Sequence, residues 1–215
     1  MIILFNQCWD IIHGMEDDYA DFIAEEYVPK CTDMGLTPVG GFYVEVGMGP
    51  RIVSIKSTES LNDLSKIISA KPFKELTHEL KEFIVNYESK ILEPTGRVKY
   101  EKYVIQRGVW KYNQYYNIIP GMKEEYADFV IYEYIPTIEK IDYLEITGGW
   151  NVIIGGSCEI ISELTFKDPA DIGRLLNNQD YRNLTNKLCR DYAVKYTSRI
   201  MRTTERFDEP HWFRS

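Results

Sequence analysis

Asn6-Gln7-Cys8-Trp9-Asp10-Ile11-Ile12-His13-Gly14-Met15 returns later in the chain as Asn113-Gln114-Tyr115-Tyr116-Asn117-Ile118-Ile119-Pro120-Gly121-Met122. The echo continues with Tyr19-Ala20-Asp21-Phe22 against Tyr126-Ala127-Asp128-Phe129, and Glu26-Tyr27-Val28-Pro29 against Glu133-Tyr134-Ile135-Pro136. From position 6 to position 29, 13 of 24 residues are identical at a constant offset of 107. One inserted residue then raises the offset to 108, and Gly40-Gly41 falls on Gly148-Gly149, Ser54 on Ser162 and Leu76-Thr77 on Leu184-Thr185. Two copies are a tandem duplication, since a solenoid needs three or more stacked units.

Each copy reads the same way. Met1 to Trp9 and Lys102 to Tyr116 are rich in β-branched and aromatic residues, which suits strands. A helix follows over Met15–Lys30, with Met15, Tyr19, Phe22 and Ile23 at helical spacing and Glu16, Asp17 and Asp18 at the positive end of its dipole. Strands over 37–47 and 51–57 flank the turn-rich Gly47-Met48-Gly49-Pro50. Residues 60–87 are helical with a break at Pro72, and last strands cover 88–93 and 193–206. The order β-α-β-β-α-β is the ferredoxin-like unit. Its sheet carries helices on one face only, and the bare face must be covered. The second copy is the obvious cover, so the fold class is α+β: tandem ferredoxin-like repeats, residues 1–100 and 101–207, closing into one intramolecular pseudo-dimeric barrel. Residues 208–215 form an aromatic tail that is expected to dock on the barrel or a partner.

Composition narrows the function. The chain has 215 residues with 25 Lys+Arg against 33 Asp+Glu, a net charge of −8. That balance argues against a nucleic-acid surface, which needs clustered cations. No apolar run reaches the roughly 18–20 residues of a membrane span, and a first basic residue at Lys30 does not suit a secretory signal. Cys8, Cys31, Cys158 and Cys189 lack zinc spacing, so free thiols in a reducing cytoplasm are expected. No P-loop, dinucleotide fingerprint or nucleophile elbow is present, and neither a metal nor a cofactor is expected.

Strand alternation puts Phe5, Gln7, Trp9 and Ile11 on one face, and Tyr112, Gln114, Tyr116 and Ile118 on its equivalent. Two glutamines among aromatics would line a cavity between the sheets; a filled core with satisfied amides is the competing reading. Tyr43 and Asn151 would join that face, leaving Phe42, Val44, Val46, Trp150, Val152 and Ile154 under the helices. His13, next to Asp10 in sequence terms and before a helix, is the best available base, although a loop histidine is more often just a surface residue. Glu26 and Glu133 fall on the apolar stripe four residues after Phe22 and Phe129, as acid–base groups or, better, as helix-end fixings. Glu75, His78 and Glu82 share a helix face that would suit a divalent metal, but a solvated face fits better. The glycine pairs read as strand kinks rather than a ligand approach.

The stretch Tyr112-x-Gln114-x-Tyr116-x-x-x-Pro120-Gly121-x-x-x-x-Tyr126 resembles the strand-loop-helix opening of NIPSNAP-like members of the dimeric α/β-barrel superfamily. Asn178-Gln179-Asp180-Tyr181 is similar to that family's short acidic-aromatic motif. Gln114 stands where the family often has Arg, and His13 replaces the Pro in the first copy. The superfamily includes cofactor-free monooxygenases, isomerase-like enzymes, haem proteins and proteins without known activity. The resemblance implies that a cofactor-free monooxygenase or isomerase-like enzyme is within reach. The aromatic and glutamine faces point to a small apolar or aromatic molecule held between the sheets, with Gln7 and Gln114 orienting its polar groups and Trp9, Tyr43 and Tyr116 stacking on it. A non-catalytic scaffold with a packed barrel is the alternative. A homo-oligomer is expected from edge strands and the aromatic tail.

Overall fold

The computed structural model describes residues 2–98, 103 and 108–204; the expected aromatic tail lies outside them. The first repeat runs β1 (Ile3–Ile11), α1 (Glu16–Phe22), a π-turn (Ile23–Tyr27), α2 (Val28–Asp33), β2 (Thr37–Val46), β3 (Ile52–Thr58), α3 (Leu61–Ser69), α4 (Lys71–Leu80) and β4 (Ile84–Pro94). The second runs β5 (Trp110–Ile118), α5 (Lys123–Phe129), a π-turn (Val130–Tyr134), α6 (Ile135–Ile138), β6 (Glu145–Ile154), β7 (Ile160–Phe166), α7 (Pro169–Asn177), α8 (Gln179–Lys187), a π-turn (Leu188–Tyr192) and β8 (Ala193–Thr203). The α3–α4 break falls at Ala70, close to the expected Pro72, which sits in the first turn of α4, where its missing N–H is no loss. Strand β4 starts four residues before the expected 88, and β5 starts at Trp110 rather than Lys102.

All strand pairings are antiparallel, and the sheet closes in the circular order β1-β3-β2-β8-β5-β7-β6-β4. Each repeat contributes the ferredoxin-like order of four. Two seams join them, Phe42 opposite Thr203 on β2–β8 and Leu92 opposite Val152 on β4–β6. The seams exchange under the internal repeat, as a pseudo-dimer requires. Closure also corrects one expectation: each described strand is paired on both sides, so a homo-oligomer cannot be argued from open strand edges. Among the described residues no helix is long and apolar enough to cross a membrane.

Both faces of the strands are buried. Leu4, Cys8, Phe42, Val44, Val53, Leu92, Trp150, Ile161 and Met201 fill the barrel interior. Ile3, Phe5 and Trp9 pack outward against the first repeat's helices, and Tyr112 and Tyr116 against the second's. The expected faces are therefore inverted: Gln7 and Gln114 lie under the helices, while Phe42, Val44, Trp150 and Val152 point into the barrel, and Val46 and Ile154 are exposed. The physical reason is that alternation sorts residues into two sets without saying which set faces which apolar layer. Inside the barrel Lys111 pairs with Glu163 at 2.8 Å, and Glu163 also accepts from Tyr103 and Thr147. A buried charge pair needs that extra satisfaction.

The π-turns decide what the helices bury. Val28 N–H bonds Ile23 C=O and Ile135 N–H bonds Val130 C=O, one residue wider than an α-turn. Pro29 and Pro136 follow at once and have no N–H to contribute. The extra residue rotates the stripe, so Tyr27 and Tyr134 turn inward. Glu26 and Glu133 consequently face solvent, paired with Lys30 and Lys187 at 2.6 Å each. Their expected place on the apolar stripe is overturned.

Candidate functional site

The buried glutamines organise tyrosines. Gln114 is fully buried; its Nε2 donates to Tyr181 Oη and Tyr196 Oη, both at 2.8 Å, and its Oε1 accepts from Tyr134 Oη at 2.7 Å. Gln7 does the same in the first repeat. Its Nε2 donates to Tyr87 Oη at 2.7 Å and Tyr27 Oη at 2.9 Å, and its Oε1 accepts from Lys56 Nζ at 2.9 Å. Both N–H groups of each amide are engaged by protein, so these amides hold phenols in place. Each π-turn delivers one of those phenols, Tyr27 or Tyr134.

Above the glutamine layer the repeats differ. In the first, the Trp9 indole lies parallel to Tyr87 at 6.3 Å and donates from Nε1 to Tyr19 Oη at 2.9 Å. In the second, Tyr116 takes Trp9's place, stacks on Tyr196 at 6.2 Å and meets Tyr126 hydroxyl to hydroxyl at 2.8 Å. A cavity of about 30 Å³ opens beside this pair, room for roughly two waters at about 10–15 Å³ each. Its walls include Tyr116, Tyr126, Phe129, Tyr134, Ile146 and Ile160; Ser162, Thr95 and Arg97 supply the other polar groups. Thr95, Arg97 and Val98 belong to the connection between repeats, which is tied down by Thr95 N–H to Gly149 C=O at 2.8 Å. A Cβ on Gly149 would lie 2.9 Å from Thr95 Oγ1, so the close crossing requires glycine there.

Burial pushes the Tyr116 and Tyr126 phenols up. Burial likewise raises Tyr134, against hydrogen bonds from Ser162 and Gln114 that lower it. These groups stay protonated at neutral pH and serve as hydrogen-bond donors.

Of the residues expected at a ligand site, Tyr116 lines the cavity and Gln114 stands directly behind it. Gln7 and Trp9 hold the equivalent places in the first repeat, where the indole N–H is bonded to Tyr19. Tyr43 does not line the cavity; half-buried, it packs against the first repeat's core with the Arg202 guanidinium over its ring at 4.9 Å. His13 is fully exposed and lies 3.3 Å from Glu16, while Asp10 instead accepts from Arg51 N–H and Asn86. Sequence reasoning missed Tyr126, Tyr134 and Arg97; the duplication of Tyr19/Tyr126 and Tyr27/Tyr134 was the signal for two of them. Among the described residues no three His, Cys, Asp or Glu side chains gather as a metal site, so Glu75, His78 and Glu82 do not form one. A broader depression of about 1180 Å³ lies between Met34, Thr37, Ser57, Ser60 and Ile67. Of its two acids, Glu59 and Asp63, the latter is occupied by Ser60 and Lys66, and none of the expected site residues reaches the depression.

No family profile and no curated protein matches the chain. Solved structures do. A candidate monooxygenase from Lactobacillus acidophilus aligns over 94% of this chain and 93% of its own, at 11% identity and a TM-score of 0.64. A heme-binding protein from Thermus thermophilus aligns over 95% and 92%, at 9% identity and 0.59. A NIPSNAP family protein from Agrobacterium tumefaciens covers 44% of this chain with 94% of its own, at 20% identity and 0.37. The chain has the dimeric α/β-barrel fold, with both halves in one polypeptide. A haem does not fit this cavity, whose lining holds no histidine and whose volume of about 30 Å³ is far too small for a macrocycle.

Proposed function

We propose that the chain binds a small, largely apolar or aromatic molecule between the sheet and the π-turn helix of its second repeat. One observation carries this reading: a cavity opens beside Tyr116, where the first repeat has the larger Trp9. Aromatic and aliphatic walls with a few fixed polar groups are the ordinary make-up of ligand pockets. At about 30 Å³ the cavity must widen for a one-ring ligand, and the crossing at residues 95–98 is the wall without regular secondary structure beyond Thr95.

The fold likeness to a candidate monooxygenase extends the proposal to cofactor-free oxygenation or isomerisation. No carboxylate or histidine lines the cavity among the described residues. Protonated phenols there would steady a developing oxyanion, so the chemistry suits a substrate that ionises readily without a strong base. The packed barrel interior favours the alternative of a scaffold without activity, and one experiment separates them. Calorimetric titration with one-ring phenols and aryl acids, alongside dioxygen uptake, should give binding that Tyr116→Trp abolishes while the fold survives. Equal binding by Tyr116→Trp, or none by the native chain, refutes the site. Binding without dioxygen uptake or isomerised product leaves a binding protein.

Self-association and a cytoplasmic location belong to the same proposal. Exposed Met48 and Tyr132 offer apolar contacts, and four unpaired thiols suit a reducing compartment. Light scattering that stays near 25 kDa at all concentrations would refute association.

A further inference from the structure

We infer that the ligand of the second-repeat cavity carries an anionic oxygen on a single aromatic ring, seated against the Tyr116–Tyr126 hydroxyl pair with its charge toward Arg97. This rests on the site proposed above and adds the chemical class of its occupant.

The first support is a proton count. Tyr116 Oη and Tyr126 Oη stand 2.8 Å apart, and one donates to the other. Two hydroxyls carry two protons, and that bond uses one. The second has no acceptor in any described hydrogen bond, although both rings are buried. Buried donors are ordinarily matched, so a spare one beside a cavity marks where an acceptor belongs. Donation between the two also sharpens the outer proton, because hydrogen bonds in a chain polarise one another.

The second support is charge. The half-buried Arg97 guanidinium lies 5.3 Å from the centre of the Tyr126 ring and lines the cavity. It makes no ion pair with a described residue. A half-buried guanidinium beside a spare phenolic proton, in an apolar pocket, favours a negatively charged oxygen over a neutral one. The third support is the contrast between repeats. In the first repeat an indole, Trp9, stands in place of Tyr116 and donates to Tyr19 without being able to accept, so the hydroxyl pair belongs to the second repeat.

The experiment is calorimetric titration of the full chain at neutral pH with benzoate and with its neutral isostere benzamide. Benzoate should bind at least about tenfold more tightly, the scale of one charge-assisted contact. Arg97→Gln should bring the two within about twofold of each other. Tyr126→Phe should weaken benzoate about five- to tenfold, with unfolding midpoints recorded to confirm that each variant folds. Equal binding of both molecules by the native chain, or a benzoate preference that survives Arg97→Gln, overturns the anionic class and leaves the cavity proposal standing. Binding of neither, down to millimolar concentrations, overturns both.

Discussion

Lys56→Met should stabilise the chain at neutral pH, with an advantage that shrinks as pH rises. Lys56 is fully buried, and its ammonium has only neutral partners among the described residues: Gln7 Oε1 and Ser54 Oγ, each at 2.9 Å, and the Tyr27 ring at 4.7 Å. Burial lowers its pKa from 10.5 to about 8, against a smaller opposing influence from Cys31. A base whose folded pKa is depressed leaves the folded state with fewer protons between the two values, so its contribution to stability improves as pH rises through that window. Below about pH 8 both states are charged and the folded state bears the whole cost, about 3 kcal/mol at about 1.4 kcal/mol per unit. Methionine keeps the length and removes the charge; the second repeat has Leu164 at this position. Lost hydrogen bonds and the cation–π contact offset part of the gain. The pH dependence is the cleaner reading, because raised thiols and phenols elsewhere are common to both proteins. Urea unfolding followed by circular dichroism at pH 7.5 and 9.5 should show the difference between variant and native chain moving by about 2 kcal/mol in the native chain's favour. A constant difference would refute the account of a strained buried ammonium.

Alkali should unfold the protein cooperatively within about one unit above pH 10. Burial raises Tyr27, Tyr87, Tyr115, Tyr116, Tyr126, Tyr134, Tyr181 and Tyr196, so their stabilisation is whole below the unfolded value and falls by up to about 1.4 kcal/mol per group per unit above it. Phenolate absorbance and circular dichroism should therefore change together; phenolate appearing well before unfolding would contradict it. Gln114→Leu should cost about 2–4 kcal/mol in urea titrations, since it removes one hydrogen-bond partner each from the Tyr134, Tyr181 and Tyr196 hydroxyls at once. Gly155→Ala should cost more than Gly121→Ala by denaturation midpoint. Both have positive φ, but only at Gly155 would the new Cβ lie 2.3 Å from a backbone oxygen, that of Ser89; Gly121 faces open space.

The duplication was legible because identities at a constant offset need no structural knowledge, and closure followed from one bare sheet face per repeat. Orientation was not legible. Along β1, Leu4, Asn6 and Cys8 alternate with Ile3, Phe5, Gln7 and Trp9, and each set mixes apolar residues with one amide. An antiparallel sheet with a wet side separates such sets by polarity; a barrel buried on both sides does not. Glu26 was misplaced for a different reason. An i, i+4 spacing holds for an α-helix, and the π-turn ahead of Pro29 advances the buried position by one residue to Tyr27. Arg97 was invisible because nothing in its surroundings marks a residue between repeats as part of a wall.

The duplication has a consequence for the site. A barrel assembled from two identical chains carries the same residue at both equivalent positions, since symmetry duplicates every substitution. In one polypeptide the halves are free to diverge. Trp9 and Lys56 fill the layer under the first repeat's helices, while Tyr116 and Leu164 occupy the same places in the second. The glutamine and its π-turn tyrosine beneath are kept in both, Gln7 with Tyr27 and Gln114 with Tyr134, because a buried amide and phenol each need a partner. The layer is thereby divided: one repeat carries an indole and a buried ammonium, and the other keeps a space beside a spare phenolic proton. A homodimeric barrel could not make that division without leaving its symmetry.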